Sequence, residues 1–166
     1  LQLVGEKDSG KSLIGGILCA AADTQEFLLE FFESEGALLY DKLVGLGINP
    51  DYFNICDVDH INALKLAIYE RLKFYELGDR ALIYVDSIGN MPSSEEYEKA
   101  EKNDKKAVMG KRAIETNSMF RVILKPASRK HIPLIFVNRQ YTKMDATKYT
   151  KEEDKKQTSG GSSNDY

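Results

Sequence analysis

Gly5-Glu6-Lys7-Asp8-Ser9-Gly10-Lys11-Ser12 reads G-x-x-x-x-G-K-S without a gap. Each residue type in that pattern has a task in holding a chain of phosphates. Glycines at 5 and 10 let the backbone curl so that its N–H groups converge on anionic oxygens. Ser9 and Leu13 lie inside the same cradle, and a helix opening at its end would add the positive end of its dipole. Lys11 would reach the β- and γ-phosphates, and the Ser12 hydroxyl is a hard-oxygen donor for Mg²⁺. The chemistry this spacing implies is binding of a Mg²⁺–nucleoside triphosphate.

Asp86 ends the apolar run Ala81–Val85 (ALIYV). A carboxylate fixed at the end of a buried strand can hold Mg²⁺ through its water shell. Glu33 and Glu35 close the earlier apolar run, where a carboxylate can orient and activate an attacking water. The alternative reading of both glutamates is surface acid. Asn138 ends PLIFVN, followed by Arg139 and Gln140, polar groups suited to sensing a terminal phosphate; a plain strand end is the alternative. Lys99–Arg112 holds six basic and two acidic residues. Within it Lys99, Lys102, Lys105, Lys106, Lys111 and Arg112 are candidate contacts to nucleic-acid phosphates, which would make binding salt-dependent. Arg121, Lys125, Arg129 and Lys130 add basic charge without an intervening acid. Runs of this kind are more often solvated surface. His131 reads as structural or exposed, not as a metal ligand, and the apolar setting of Cys19 reads as a buried small hydrophobe.

The elements needed to position these groups follow from hydrophobic pattern. Leu1–Gly5 reads as a strand, Leu13–Ala22 as a helix apolar nearly all round and so buried against a sheet. Phe27–Phe32 is ambiguous by composition and favoured as a strand by its place in the order. Ala37–Leu46 reads as a helix stopped at Gly47, and Phe53–Cys56 as a short strand. Ile61–Glu76 is the clearest amphipathic helix, with Ile61, Leu64, Ile68, Leu72 and Tyr75 on one face. Met91–Lys106 reads as a loop or fraying helix, and Ala107–Lys130 as mostly helical with a kink at Pro126. Pro133–Val137 is a second fully buried strand, and beyond Tyr141 the loss of apolar pattern predicts mobile loop. Strands separated by helical crossovers predict an α/β fold with a mainly parallel sheet flanked by helices.

The bulk properties agree. The chain has 166 residues, 42 % hydrophobic and 30 % charged, enough for one domain with a real core. No stretch approaches the roughly 18 apolar residues of a membrane helix, and residues 1–4 carry no basic leader. The formal charge of −3 is uneven, acidic before residue 61 and basic after it, so a nucleic-acid partner is not excluded.

The chain resembles the RecA-type recombinases, in the phage branch typified by UvsX. The resemblance rests on LIYVDSIGNMPSSEE, NSMFRVILKPASRKHIPLIFVNR and the FESEGA…LGINP segment, since the phosphate loop alone says only NTPase. It implies a RecA-like P-loop core that binds ATP and Mg²⁺, polymerises as a helical filament on single-stranded DNA, and exchanges strands with duplex DNA. It implies Glu35 as the water-activating glutamate, Asp86 as the Mg²⁺-associated aspartate, and Asn138 with Arg139 as the nucleotide-sensing pair. Lys42 stands where relatives place an aromatic against adenine, with Tyr40 two residues earlier as its substitute. DNA loops would span 91–106 and 142–157, the second including Lys143 and Lys148, both disordered without DNA. An N-terminal oligomerisation segment and a C-terminal part are expected outside this chain. Mediator and single-strand-binding proteins are expected partners, in a cytoplasmic setting. A ring-forming RecA-like helicase and a catalytically weak ATP-binding regulatory module remain open alternatives.

Overall fold

The computed structural model describes residues 1–34, 40–102, 110–142 and 156–158. The two uninterrupted apolar runs form the centre of the sheet, because a strand covered on both faces needs apolar side chains at successive positions. They are β4 (Ala81–Asp86) and β5 (Leu134–Thr142), flanked by β1 (Gln2–Gly5), β2 (Leu28–Glu33) and β3 (Phe53–Asp57). The order is β1-β5-β4-β2-β3 with every pair parallel. Parallel neighbours require crossovers. These are α1 (Lys11–Asp23), α2 (Tyr40–Gly45) with a 3-10 turn at Pro50–Tyr52, α3 (Ile61–Phe74), and α4 (Ser94–Glu101) with α5 (Lys111–Lys130). The fold is thus the α/β architecture read from the sequence. Among the described residues no helix is long and apolar enough to cross a membrane.

Alternation along each strand divides the core in two. Ala81, Ile83 and Val85 of β4 and Leu134 and Phe136 of β5 pack with α3 and α5. Leu82 and Tyr84, and Ile135 and Val137, pack toward α1 and α2. The predicted face of α3 is buried, with Ile61, Leu64, Ile68 and Leu72 all at 1 % exposure or less. His60 starts that helix by accepting the Ala63 N–H on Nδ1 at 3.2 Å. Tyr75 leaves it, turning extended, and donates to Glu30 at 2.7 Å; Arg71 pairs with the other Glu30 oxygen at 3.5 Å. A carboxylate buried in the sheet is thereby satisfied from α3. Lys130 donates to the carbonyls of Leu72 and Tyr75 at 2.6 and 2.5 Å, satisfying orphan acceptors at the end of α3. This lysine is thus part of the scaffold.

Several expectations need correction. α1 is not buried all round: Gly15, Gly16 and Cys19 face the sheet, while Leu13, Ile14 and Ile17 are more than half exposed. Only small residues fit at the contact, since a Cβ on Gly15 would lie 2.4 Å from the Tyr84 ring. Met91–Ser93 is no solvated loop, with Met91 at 1 % and Ser93 at 0 % exposure. There Ser93 and Glu96 form a capping box that starts α4, and Ser94 ties the helix to Glu115 of α5. α5 runs through Pro126 to Lys130 and ends where His131 adopts φ 58°, the left-handed closing position. β5 extends past Val137 to Thr142 and pairs antiparallel with β6 (Lys156–Thr158). That ladder is made by backbone groups, so no apolar pattern announces it.

Truncating Ile68 to alanine should cost about 2–5 kcal/mol of unfolding free energy in denaturant titrations. The same change at exposed Leu66 should stay within about 0.5 kcal/mol. Equal effects at both sites would contradict the face assignment.

Candidate nucleotide-binding site

Parallel pairing brings the C-terminal ends of the strands to one edge. Gly5 is registered with Arg139, and Glu33 with both Asp86 and Asp57. The alternation that sorts the core also sorts this edge. Arg139 shares its face with Ile135 and Val137, and Asp86 shares its face with Leu82 and Tyr84. Both therefore lie on the α1 side, where the Gly5–Ser12 loop emerges.

The loop between β1 and α1 has the shape its glycines require. Gly10 sits at φ 83°, and a Cβ on Gly5 would lie 2.7 Å from Ser9 Oγ. Lys11 arches back across it, donating to the Glu6 carbonyl at 2.5 Å and to Ser9 Oγ at 3.3 Å. A cavity of about 420 Å³ opens over the loop, lined by Lys7–Leu13, Asp86, Ser87, Val137 and Arg139. That size is within the ordinary range for small-molecule sites. A second cavity of about 500 Å³ adjoins it between α1 and α2, sharing Ser12, Leu13 and Asp86 and reaching Glu33, Lys42 and Tyr84.

Ser12 and Asp86 both border the first cavity and offer hard oxygen donors suited to Mg²⁺. Among the described residues no group of three or more His, Cys, Asp or Glu is placed so that it could hold a metal ion. The donor set fits a cation that takes its remaining oxygens from phosphate and water. The Asp86 strand end is braced by Ser34. Its hydroxyl donates to the Ser87 carbonyl at 2.8 Å and accepts the Ser87 N–H at 3.3 Å.

Of the sequence-derived set, the structure brings Ser9, Gly10, Lys11, Ser12, Leu13, Asp86 and Arg139 to one cavity, with Gly5 beneath the loop. Asn138 is adjacent but turned inward. It is fully buried, and its Oδ1 accepts the Arg139 N–H at 2.8 Å. Tyr40 borders neither cavity and packs on Phe53, ring centroids 5.4 Å apart; Lys42 lines the second cavity instead. Glu35 lies outside the described residues, as do Lys105, Lys106, Lys143 and Lys148. Cys19 is buried, its thiol pushed up to about 12 by desolvation, so it is protonated at neutral pH.

The candidate phosphate-contact residues fall into two groups. Lys99 and Lys102 pair with Glu95 and Glu98 one turn away, at 2.9 and 3.7 Å, and Lys111 lies 3.6 Å from Glu95. Lys102 and Lys111 remain more than half exposed, and the Lys99 hydrogen bond is the main reason the Glu95 carboxyl titrates low. Arg112 is a clamp: its guanidinium donates to the Ile88 carbonyl at 2.8 Å and to the Gly89 carbonyl. Gly89 in turn packs on Arg139, where a Cβ would lie 2.9 Å from Arg139 Cγ. Sequence pattern missed Ser34, Gly89 and Tyr84; the last looks like one more core residue in an apolar run.

No protein-family model matches the chain. It is similar to a protein of Enterobacteria phage T4 named "Recombination and repair protein", with 29 % identity over 143 residues, or 85 % of this chain. The chain spans 36 % of that protein's length.

Arg112→Ala should free the backbone after β4. Hydrogen bonds from a charged donor contribute about 1.5–3 kcal/mol, so amide exchange at Ile88 and Gly89 should accelerate at least tenfold. Exchange at the wild-type rate would show that the clamp does not hold this segment.

Proposed function

We propose that this chain is the ATP-binding core of a DNA-dependent ATPase that works in homologous recombination and repair, binding single-stranded DNA and promoting strand exchange. The observation that carries the reading is the shared cavity of Lys11, Ser12, Asp86 and Arg139 at one sheet edge. The similarity to a recombination and repair protein supports the process in which it acts.

In this mechanism the curled loop from Gly5 to Ser12 cradles the phosphates through its N–H groups, helped by the N-terminal end of α1. Lys11 exchanges its contacts with Glu6 and Ser9 for the β- and γ-phosphate oxygens. Ser12 and Asp86 hold Mg²⁺, which when bound neutralises charge on those oxygens. Glu35, one residue beyond the Ser34 brace, orients the attacking water and takes its proton. Arg139 faces the γ-phosphate as a fixed cation, with its backbone N–H held by Asn138. Contact with Gly89 links it to the segment leading into α4. DNA phosphates are met by the basic residues around α4, the start of α5 and the chain beyond β5. Subunits assemble as an open helical filament.

The test is ATP hydrolysis by the full-length protein, with and without single-stranded DNA, beside Glu35→Gln. DNA should stimulate turnover. The variant should bind nucleotide normally yet turn over about 10²- to 10⁴-fold more slowly, the usual contribution of a general base. DNA affinity should fall steeply with salt. An active ATPase indifferent to DNA would overturn the DNA half of the proposal, and closed rings in electron micrographs would replace the recombinase reading with a helicase.

A further inference from the structure

Tyr84 stands out among the buried groups not assigned a task above. Its ring is fully enclosed at 1 % exposure, edge-on to Phe31 with centroids 5.5 Å apart. Burying a phenol is favourable for its ring and costly for its hydroxyl unless that group finds partners. That group donates to Asp86 Oδ2 at 3.0 Å. Asp86 borders the phosphate cavity as a metal donor, and Tyr84 lines the adjoining cavity together with Asp86 and Ser12.

The direction of this bond follows from the donor inventory. An ionised Asp86 has no proton to give, so the phenol donates to it. Asp86 thus has one oxygen committed to the phenol and its rotation restricted. A tyrosine fits here because α1 carries glycine at the crossing. A Cβ on Gly15 would lie 2.6 Å from the phenol oxygen and 2.4 Å from the ring.

We infer that Tyr84 is a positioning residue for the Mg²⁺ site, orienting Asp86 through one buried hydroxyl, with Gly15 leaving the room that hydroxyl needs. The inference rests on the nucleotide-site reading above. Outer partners that orient metal ligands typically influence metal affinity by about 10- to 100-fold.

The experiment uses full-length protein and a fluorescent ATP analogue, titrated with Mg²⁺ and also bound in EDTA. Tyr84→Phe removes only the hydroxyl. It should leave affinity in EDTA within about twofold and raise the Mg²⁺ concentration for half-maximal tight binding about tenfold. Gly15→Ala keeps the hydroxyl but displaces it, and should raise the Mg²⁺ requirement in the same direction. In an Asp86→Asn background, Tyr84→Phe should add little, because the two groups act as a unit. If either variant loses its fold by thermal melt, the other carries the comparison. An unchanged Mg²⁺ midpoint in a folded variant, with wild type binding nucleotide, overturns the role of Tyr84 alone. Failure of the wild-type protein to bind nucleotide under any condition overturns the site reading and this inference with it.

Discussion

Parallel strand pairing is the constraint from which the site follows. It forces every strand to end at the same edge, and crossover helices to carry the chain back beneath it. With side chains alternating at period two, a strand-end residue also inherits a face. Arg139 and Asp86 fall on the α1 face because Val137 and Tyr84, two residues earlier, are core residues on that face. Asn138 falls on the other, which is why it is buried and bonded to backbone while its neighbour opens to the cavity. A one-residue slip of β4 or β5 would reverse each assignment. The apolar residues that bury the two faces therefore also hold the chemistry in register.

The second constraint is distance. The phosphate-binding role proposed for the Gly5–Ser12 loop requires α1 to start close above the strand ends, and a helix rides close to a sheet only on small side chains. Gly15, Gly16 and Cys19 supply that stripe. Two interior glycines weaken an isolated helix by roughly 1 kcal/mol each. Tight packing over Tyr84 and against α2 accompanies that loss. The large apolar residues of α1 are displaced to its outer side, where they remain exposed. Beyond the strand ends the same economy continues. Ser34 braces the Ser87 peptide, Arg112 holds two successive carbonyls, and Gly89 leaves room for Arg139. Each is a backbone contact, so each constrains the path of the chain and not merely one rotamer.

How much of this the sequence disclosed depends on whether a feature is periodic. The Ile61–Leu72 face and the two buried strands are repeating or contiguous patterns, and they are found where expected. Asp86 was legible because its position at a strand end is defined by the run before it. Phe27–Phe32, ambiguous by composition, is resolved as a strand by neighbours on both sides, which is tertiary information. Ser93-x-x-Glu96 was a readable capping signal, hidden by the surrounding charge. β6 had no signal, because three polar residues pairing through backbone look the same as a loop. Lys130 and Arg112 read as surface charge because sequence does not reveal which carbonyls lie within reach of a long side chain. Tyr84 is the sharpest case: a phenol in ALIYVD is indistinguishable from core until the helix above it is in place.

Electrostatics at the edge is the last step. Asp57, Glu33 and Asp86 stand in adjacent register on β3, β2 and β4, so the field there is negative, and a bare polyphosphate would be repelled from that side. The cationic groups are placed asymmetrically. Lys11 and the positive end of α1 lie over β1, and Arg139 lies on β5 between β1 and the acids. An anion is therefore favoured at the β1–β5 end and disfavoured toward β2. Under the proposed nucleotide reading, a phosphate would extend toward Asp86 only with a cation between them, and the oxygens of Ser12 and Asp86 lie at this boundary.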